Sequence, residues 1–213
     1  MLGIHDLGLF VVSGLLLNLM PGPDSLLIMT RSAAQGARAG CVAAMGIGAG
    51  VFVHVLAAAL GLSALLQTSP MAFAVVKYIG AAYILFLAWT LLRSKSAAAA
   101  ASKVAVKAPP LPWPRVFAQG FLTNLLNPKV ALFFLAFVPQ FIDAAAPHKA
   151  LSFIVLGCIF NFNGMLWCNA LAWLTARASA SIELAPGLVR WLNRLTGCVF
   201  IWLGVKLALS KNS

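Results

Sequence analysis

Six apolar runs divide the chain, at Leu7–Thr30, Cys41–Leu66, Met71–Leu92, Val116–Ile142, Ala150–Thr175 and Leu188–Leu209. Each is close to the ~20 residues that a ~30 Å hydrocarbon core demands of a helix. In lipid every backbone N–H and C=O must find its partner inside the protein, so runs of this length are expected to cross the bilayer as helices. The 213-residue chain is 62% hydrophobic and 9% charged, which is more apolar surface than a soluble domain of this size can bury. The expected fold is therefore an all-α polytopic membrane protein with six spans. A net charge of +11 could suggest nucleic acid, but that reading is excluded. The Lys and Arg lie mostly between the apolar runs, as topology signals do. The first run carries no Lys or Arg ahead of it and no small-residue cleavage site before Pro21, so it reads as a retained span and not a signal peptide.

Two of the six runs are interrupted. In the first, Asn18-Leu-Met-Pro21-Gly22-Pro23-Asp24 cannot continue a helix, because each proline removes a backbone donor and clashes with the preceding turn. The fourth holds an echo, Asn124-Leu-Leu-Asn127-Pro128-Lys129. There Asn127 suits an N-cap and Pro128 the first helical position. An ionisable residue follows each break, and such residues at membrane depth usually mark a pathway or a site. Broken helices at matching positions in two halves point to the binding site of a secondary transporter.

The halves correspond further. Gly14-x-x-x-Asn18 matches Gly120-x-x-x-Asn124, Pro23-Asp24 matches Pro128-Lys129, and Lys77-Tyr-Ile-Gly80 matches Arg194-Leu-Thr-Gly197. Residues 1–92 and 116–213 are thus expected to be two three-helix repeats. Three is odd, so the second repeat enters the membrane inverted. Residues 93–115 form a basic linker, rich in Ala and Pro, with Arg93, Lys95, Lys103, Lys107 and Arg115 and no acid. The first connection carries Arg31 and Arg38, and the fifth Arg177, Arg190 and Arg194 against Glu183. Positive odd-numbered connections place the linker in the cytoplasm and both termini in the periplasm.

Lys129 sits near the middle of its run, with roughly 18 Å of helix before the break and roughly 20 Å after it. It also lies at the positive end of its own half-helix, where a cation is disfavoured. The residue therefore needs a substrate carboxylate, Asp24 or loss of its proton. Asp24 starts the other half-helix, only about 10 Å of helix from Arg31, and fits both a plain cap and a proton or amine site. Asn18 and Asn124 precede the breaks by a turn and are read first as partners for freed backbone groups. His54 is a proton-coupling candidate beside Asp24, since imidazole titrates near neutral pH. Gln119, Asn161, Asn163 and Asn169 are further polar groups at depth. No metal-ligand cluster and no nucleophile–base constellation emerges. Cys41, Cys158, Cys168 and Cys198 are scattered and read as small core hydrophobes.

The Asn18–Asp24 and Asn124–Lys129 motifs, with Phe137-Val-Pro-Gln-Phe141 and Lys77-Tyr-Ile-Gly-Ala-Ala-Tyr83, resemble the LysE/RhtB family of bacterial amino-acid exporters (homoserine, threonine and lysine efflux type). The resemblance covers essentially the whole chain. It implies an inner-membrane carrier that exports an amino acid or close derivative in exchange for protons. No cofactor is called for, and a homo-oligomer is compatible with it. On that reading the substrate sits between the broken spans. Lys129 and the half-helix N-termini would hold its carboxylate. Asp24 and the carbonyls freed around Pro21, Gly22, Pro23 and Pro128 would face its ammonium, with Asn18, Asn124 and Asn127 alongside. Two alternatives are a membrane thiol-disulfide relay of the same superfamily and a non-transporting scaffold. The relay needs paired cysteines in the first and fourth runs, and neither run contains one.

Overall fold

A computed structural model describes residues 2–62, 70–93, 109–143, 145–177 and 186–209. The linker expected over 93–115 falls largely outside these residues, as does the end of the second run beyond Leu62. Among the described residues the chain is helical, without a named strand. The first run forms α1 (Leu7–Leu19) and α2 (Pro23–Gln35), bent by 53° at the Pro21-Gly22 connection. The second is α3 (Ala37–Ala57), extended by a π turn over Ala58–Leu62. The third is α4 (Pro70–Arg93). The fourth forms α5 (Trp113–Leu125), then α6 (Pro128–Leu132), a π turn over Phe133–Phe137 and a 3₁₀ turn over Val138–Phe141, with a bend of 47° at the break. The fifth and sixth are α7 (Lys149–Arg177) and α8 (Pro186–Leu209).

Two single helices, Ala37–Leu62 and Lys149–Arg177, are long and apolar enough to cross a membrane, and the two bent pairs pass as one span each. This is a polytopic helical membrane protein. α4 and α8 are 24 residues each, about 36 Å of helix at 1.5 Å per residue. The exposed surface is correspondingly greasy, with Met45, Phe52, Leu60, Tyr78, Phe86, Phe162 and Trp191 all outward. In lipid such exposure costs nothing, because the tails are as apolar as the side chains.

What holds the bundle together is therefore close packing. α3 lies against α5, α2 and α7, while α4 pairs with α8 and α1 packs on α7. The α3–α5 approach is backbone to backbone. A Cβ added at Gly46 would strike the Phe117 carbonyl, and one at Gly120 the Ala43 carbonyl. Small residues permit such crossings, and dispersion rather than the hydrophobic effect supplies the attraction. A second seam is aromatic. Phe10, Phe133, Phe137 and Phe141 are buried together near the N-terminus of α1, with Phe10 and Phe141 ring centres 5.3 Å apart and Phe133 and Phe137 5.0 Å apart. The N-terminal segment is tied to this end by an antiparallel bridge between Ile4 and Ile142, and the Ser152 hydroxyl donates to the Leu2 carbonyl at 2.6 Å.

Candidate functional site

The breaks expected from the prolines are where the two halves meet. At the second, Pro128 opens α6 and the Asn127 side chain caps it, accepting from the Lys129 N–H at 3.0 Å. At the first, Pro23 opens α2 with Gly22 as its cap residue and Asp24 in the first turn. An acid in that position is favoured by the helix dipole.

The charged side chains then cross over. Lys129 leaves the N-terminus of its own helix and reaches the C-terminal end of α1, donating to the Leu17 carbonyl at 3.1 Å and the Met20 carbonyl at 3.4 Å. These carbonyls are free because the helix stops there, and they form the negative pole of the α1 dipole. Gly22 lies beside the amine, where an added Cβ would sit 3.4 Å from Lys129 Nζ, in ordinary van der Waals contact. Asp24 does the converse. Its Oδ2 accepts from the Asn124 amide at 2.9 Å and the Asn127 amide at 3.1 Å, both at the second break. Asp24 and Lys129 do not form an ion pair within 4.0 Å, whereas His5 pairs with Asp6 and Asp143. Each charge is thus held by uncharged dipoles of the opposite half.

A cavity lies between them, lined by Leu17, Asn18, Asp24, Ser25, Ile47, Val51, Asn124, Lys129, Val130, Phe160, Asn161, Gly164, Met165 and Cys168. It measures about 30 Å³ over the positions a water centre can take, room for one or two waters and too little for an amino acid. Three buried polar atoms in its walls have no hydrogen-bond partner: Asn18 Nδ2, Asp24 Oδ1 and Asn124 Oδ1. Buried polar groups normally are satisfied, so an unpaired donor and two unpaired acceptors in one small space call for an explanation. The Asn18 and Asn124 side chains do not repair freed backbone groups, as their positions suggested. Asn124 binds Asp24, and the Asn18 amide lies against Gly164, where an added Cβ would sit 3.3 Å from Nδ2.

His54 lies on α3, partly buried, with Nε2 3.1 Å from the Asn124 carbonyl oxygen. A carbonyl only accepts, so that nitrogen carries a proton. His54 therefore touches the backbone of a cavity residue without lining the cavity. Asn161 does line it and donates to the Gly48 carbonyl at 3.4 Å. The Asn169 amide turns back to the Met165 carbonyl of its own helix. The α7 wall, Gly164, Met165 and Cys168, had no sequence signal, being apolar or small residues of a long apolar run. Gln119 is engaged elsewhere, accepting at 3.0 Å from Arg31, which is buried and also donates to the Pro109 carbonyl at 3.1 Å. All four cysteines are free. Among the described residues no group of His, Cys, Asp and Glu could hold a metal.

The comparisons with known proteins agree with one another. An uncharacterized membrane protein of Pseudomonas aeruginosa is 36% identical, over 97% of this chain and 96% of its own. A leucine efflux protein of Salmonella choleraesuis is 30% identical over 97% of this chain and 96% of its own. One from an Enterobacter species is 28% identical over the same shares. No solved structure matches. The model of the LysE type translocators matches residues 15–211, nearly the whole chain with both breaks and the cavity, and the chain belongs to that family.

Proposed function

We propose that this protein exports an α-amino acid across the bacterial inner membrane in exchange for protons, binding it between the two broken spans when the cavity there, too small for it in this closed form, widens. It is a carrier of a translocator family and not an enzyme. The observation that carries the reading is the set of unsatisfied atoms in the cavity wall. Asp24 Oδ1 and Asn124 Oδ1 are acceptors suited to an ammonium; Asn18 Nδ2 is a donor suited to a carboxylate, with the Lys129 amine beside it. The leucine efflux relatives support an amino acid as cargo.

Packing of the halves supports a repeat, and an odd number of spans in each would invert one against the other. α3 lies on α5 as α7 lies on α1 and α2, while α4 pairs with α8, so contacts recur when the halves are exchanged. Access alternates between two closures. Toward the N-terminus of α1 the aromatic cluster of Phe10, Phe133, Phe137 and Phe141 seals the site. In the second half of α2, Arg31 ties Gln119 and Pro109. The excess of Lys and Arg on odd-numbered connections puts the Arg31 closure on the cytoplasmic side. Asp24, one of whose oxygens is unpaired, is the proton carrier of choice, with His54 as the second candidate.

The test is efflux of isotope-labelled amino acids from proteoliposomes, with and without a proton gradient. Faster efflux under an inward gradient supports antiport. Efflux no faster than from protein-free vesicles, for every amino acid, overturns the function.

A further inference from the structure

We propose that the substrate side chain lodges in a separate apolar lobe between α4, α8 and the Phe133–Phe137 π turn, so that the carrier selects large uncharged side chains and rejects cationic ones. This rests on the reading of the cavity as an amino-acid site and names its substrate class. Leu17 and Lys129 line two adjoining spaces. One is the polar cavity already described. The other is walled by Tyr83, Ile84, Leu132, Phe133, Phe137 and Phe200, and among the described residues Lys129 is its one charged lining residue. The partition is aromatic: Phe133 of the lobe and Phe160 of the polar cavity have ring centres 4.6 Å apart.

An α-amino acid carries its ammonium, carboxylate and side chain on one carbon, pointing in different directions. With the ammonium toward Asp24 and Asn124 and the carboxylate on Lys129, the apolar space that shares the Leu17 and Lys129 walls with the polar cavity is this lobe. The lobe lies at a π turn, a distortion that often marks functional positions in helices. It is nearly closed, about 20 Å³ over water-centre positions, but Tyr83 and Leu132 are only partly buried and bound the side that can widen. No acid lines it. A lysine or arginine side chain would place its cation among hydrocarbon, desolvated and with no counter-charge among the described residues. An alanine side chain would leave the lobe unfilled.

The experiment uses full-length protein in proteoliposomes loaded with all twenty amino acids, reading initial efflux ratios. Leucine should leave roughly tenfold or more faster than alanine or lysine, the discrimination a fitted apolar pocket achieves. Ile84→Asp, which puts an anion in the lobe, should shift the lysine-to-leucine ratio toward lysine by about tenfold or more. Phe200→Ala, which enlarges the lobe, should raise phenylalanine relative to leucine and decides the matter if Ile84→Asp does not enter the membrane. Lysine leaving within about twofold of leucine from the unmutated protein, or lobe variants that scale every amino acid equally, overturns the lobe while the carrier reading stands. Efflux of none of the twenty removes the carrier reading and the lobe with it.

Discussion

Removing both central charges distinguishes a binding site from an internal brace. Lys129→Met deletes an amine that holds the Leu17 and Met20 carbonyls. A hydrogen bond with a charged donor contributes about 1.5–3 kcal/mol net, so the fold should lose roughly 2–5 kcal/mol. Asp24→Asn keeps an oxygen for the Asn124 and Asn127 amides and should cost the fold only about 1 kcal/mol. Transport should respond differently. Truncating one partner of a buried charge pair with substrate costs about 2–5 kcal/mol, or roughly 30-fold to several thousand-fold in rate. Each single variant should therefore lose export by at least about 30-fold. If the charges existed only to neutralise each other, the double variant would strand neither and would recover. The geometry opposes that, because the two do not form an ion pair within 4.0 Å and each is held by dipoles of the opposite half. The assay is proteoliposome efflux beside size exclusion and thermal unfolding in detergent. Export by Asp24→Asn with Lys129→Met within about threefold of the unmutated rate would refute a binding role for both, since that is under 1 kcal/mol.

Packing predicts that Gly120→Leu, which drives carbons into the Ala43 carbonyl, prevents α3 and α5 from seating. Monodisperse protein of unchanged melting temperature would contradict it. Arg31→Ala leaves the Gln119 and Pro109 oxygens without their shared donor and should destabilise by about 2–4 kcal/mol in thermal unfolding, whereas an unmoved midpoint would mean that Arg31 is idle. Replacing Cys41, Cys158, Cys168 and Cys198 together by Ala should preserve export, as free thiols without a partner imply. Loss of export restored by one particular pair would revive thiol exchange. In that cysteine-free background, Pro147→Cys should react with an impermeant thiol reagent from outside intact cells and Arg38→Cys should not; the opposite pattern would invert the assigned orientation.

Sequence alone determined the class of fold and where the helices fail. Lipid offers backbone groups no partners, so apolar runs of this length become helices whatever surrounds them. Proline lacks the donor a helix needs, so Pro21-Gly22-Pro23 and Asn127-Pro128 interrupt it by local chemistry. Asn127 capping α6 is likewise a matter of neighbouring residues. The partners of the charged side chains were decided only by tertiary structure. Lys129 at the N-terminus of its own half-helix called for an anion, and reading along the chain could not show that the freed end of α1, more than a hundred residues earlier, would supply carbonyls instead. Asp24, Asn124 and Asn127 meet in the same way across the interface of the halves. The α7 wall and the apolar lobe were hidden for a related reason. In a membrane protein, residues facing lipid, a neighbouring helix or a cavity are all apolar, so periodicity cannot tell them apart. Gly164, Met165, Ile84 and Phe200 carry no mark in the sequence. They acquire a place only when α4, α7 and α8 pack around the two breaks, because dispersion between matched surfaces, which sets that packing, depends on shape in three dimensions.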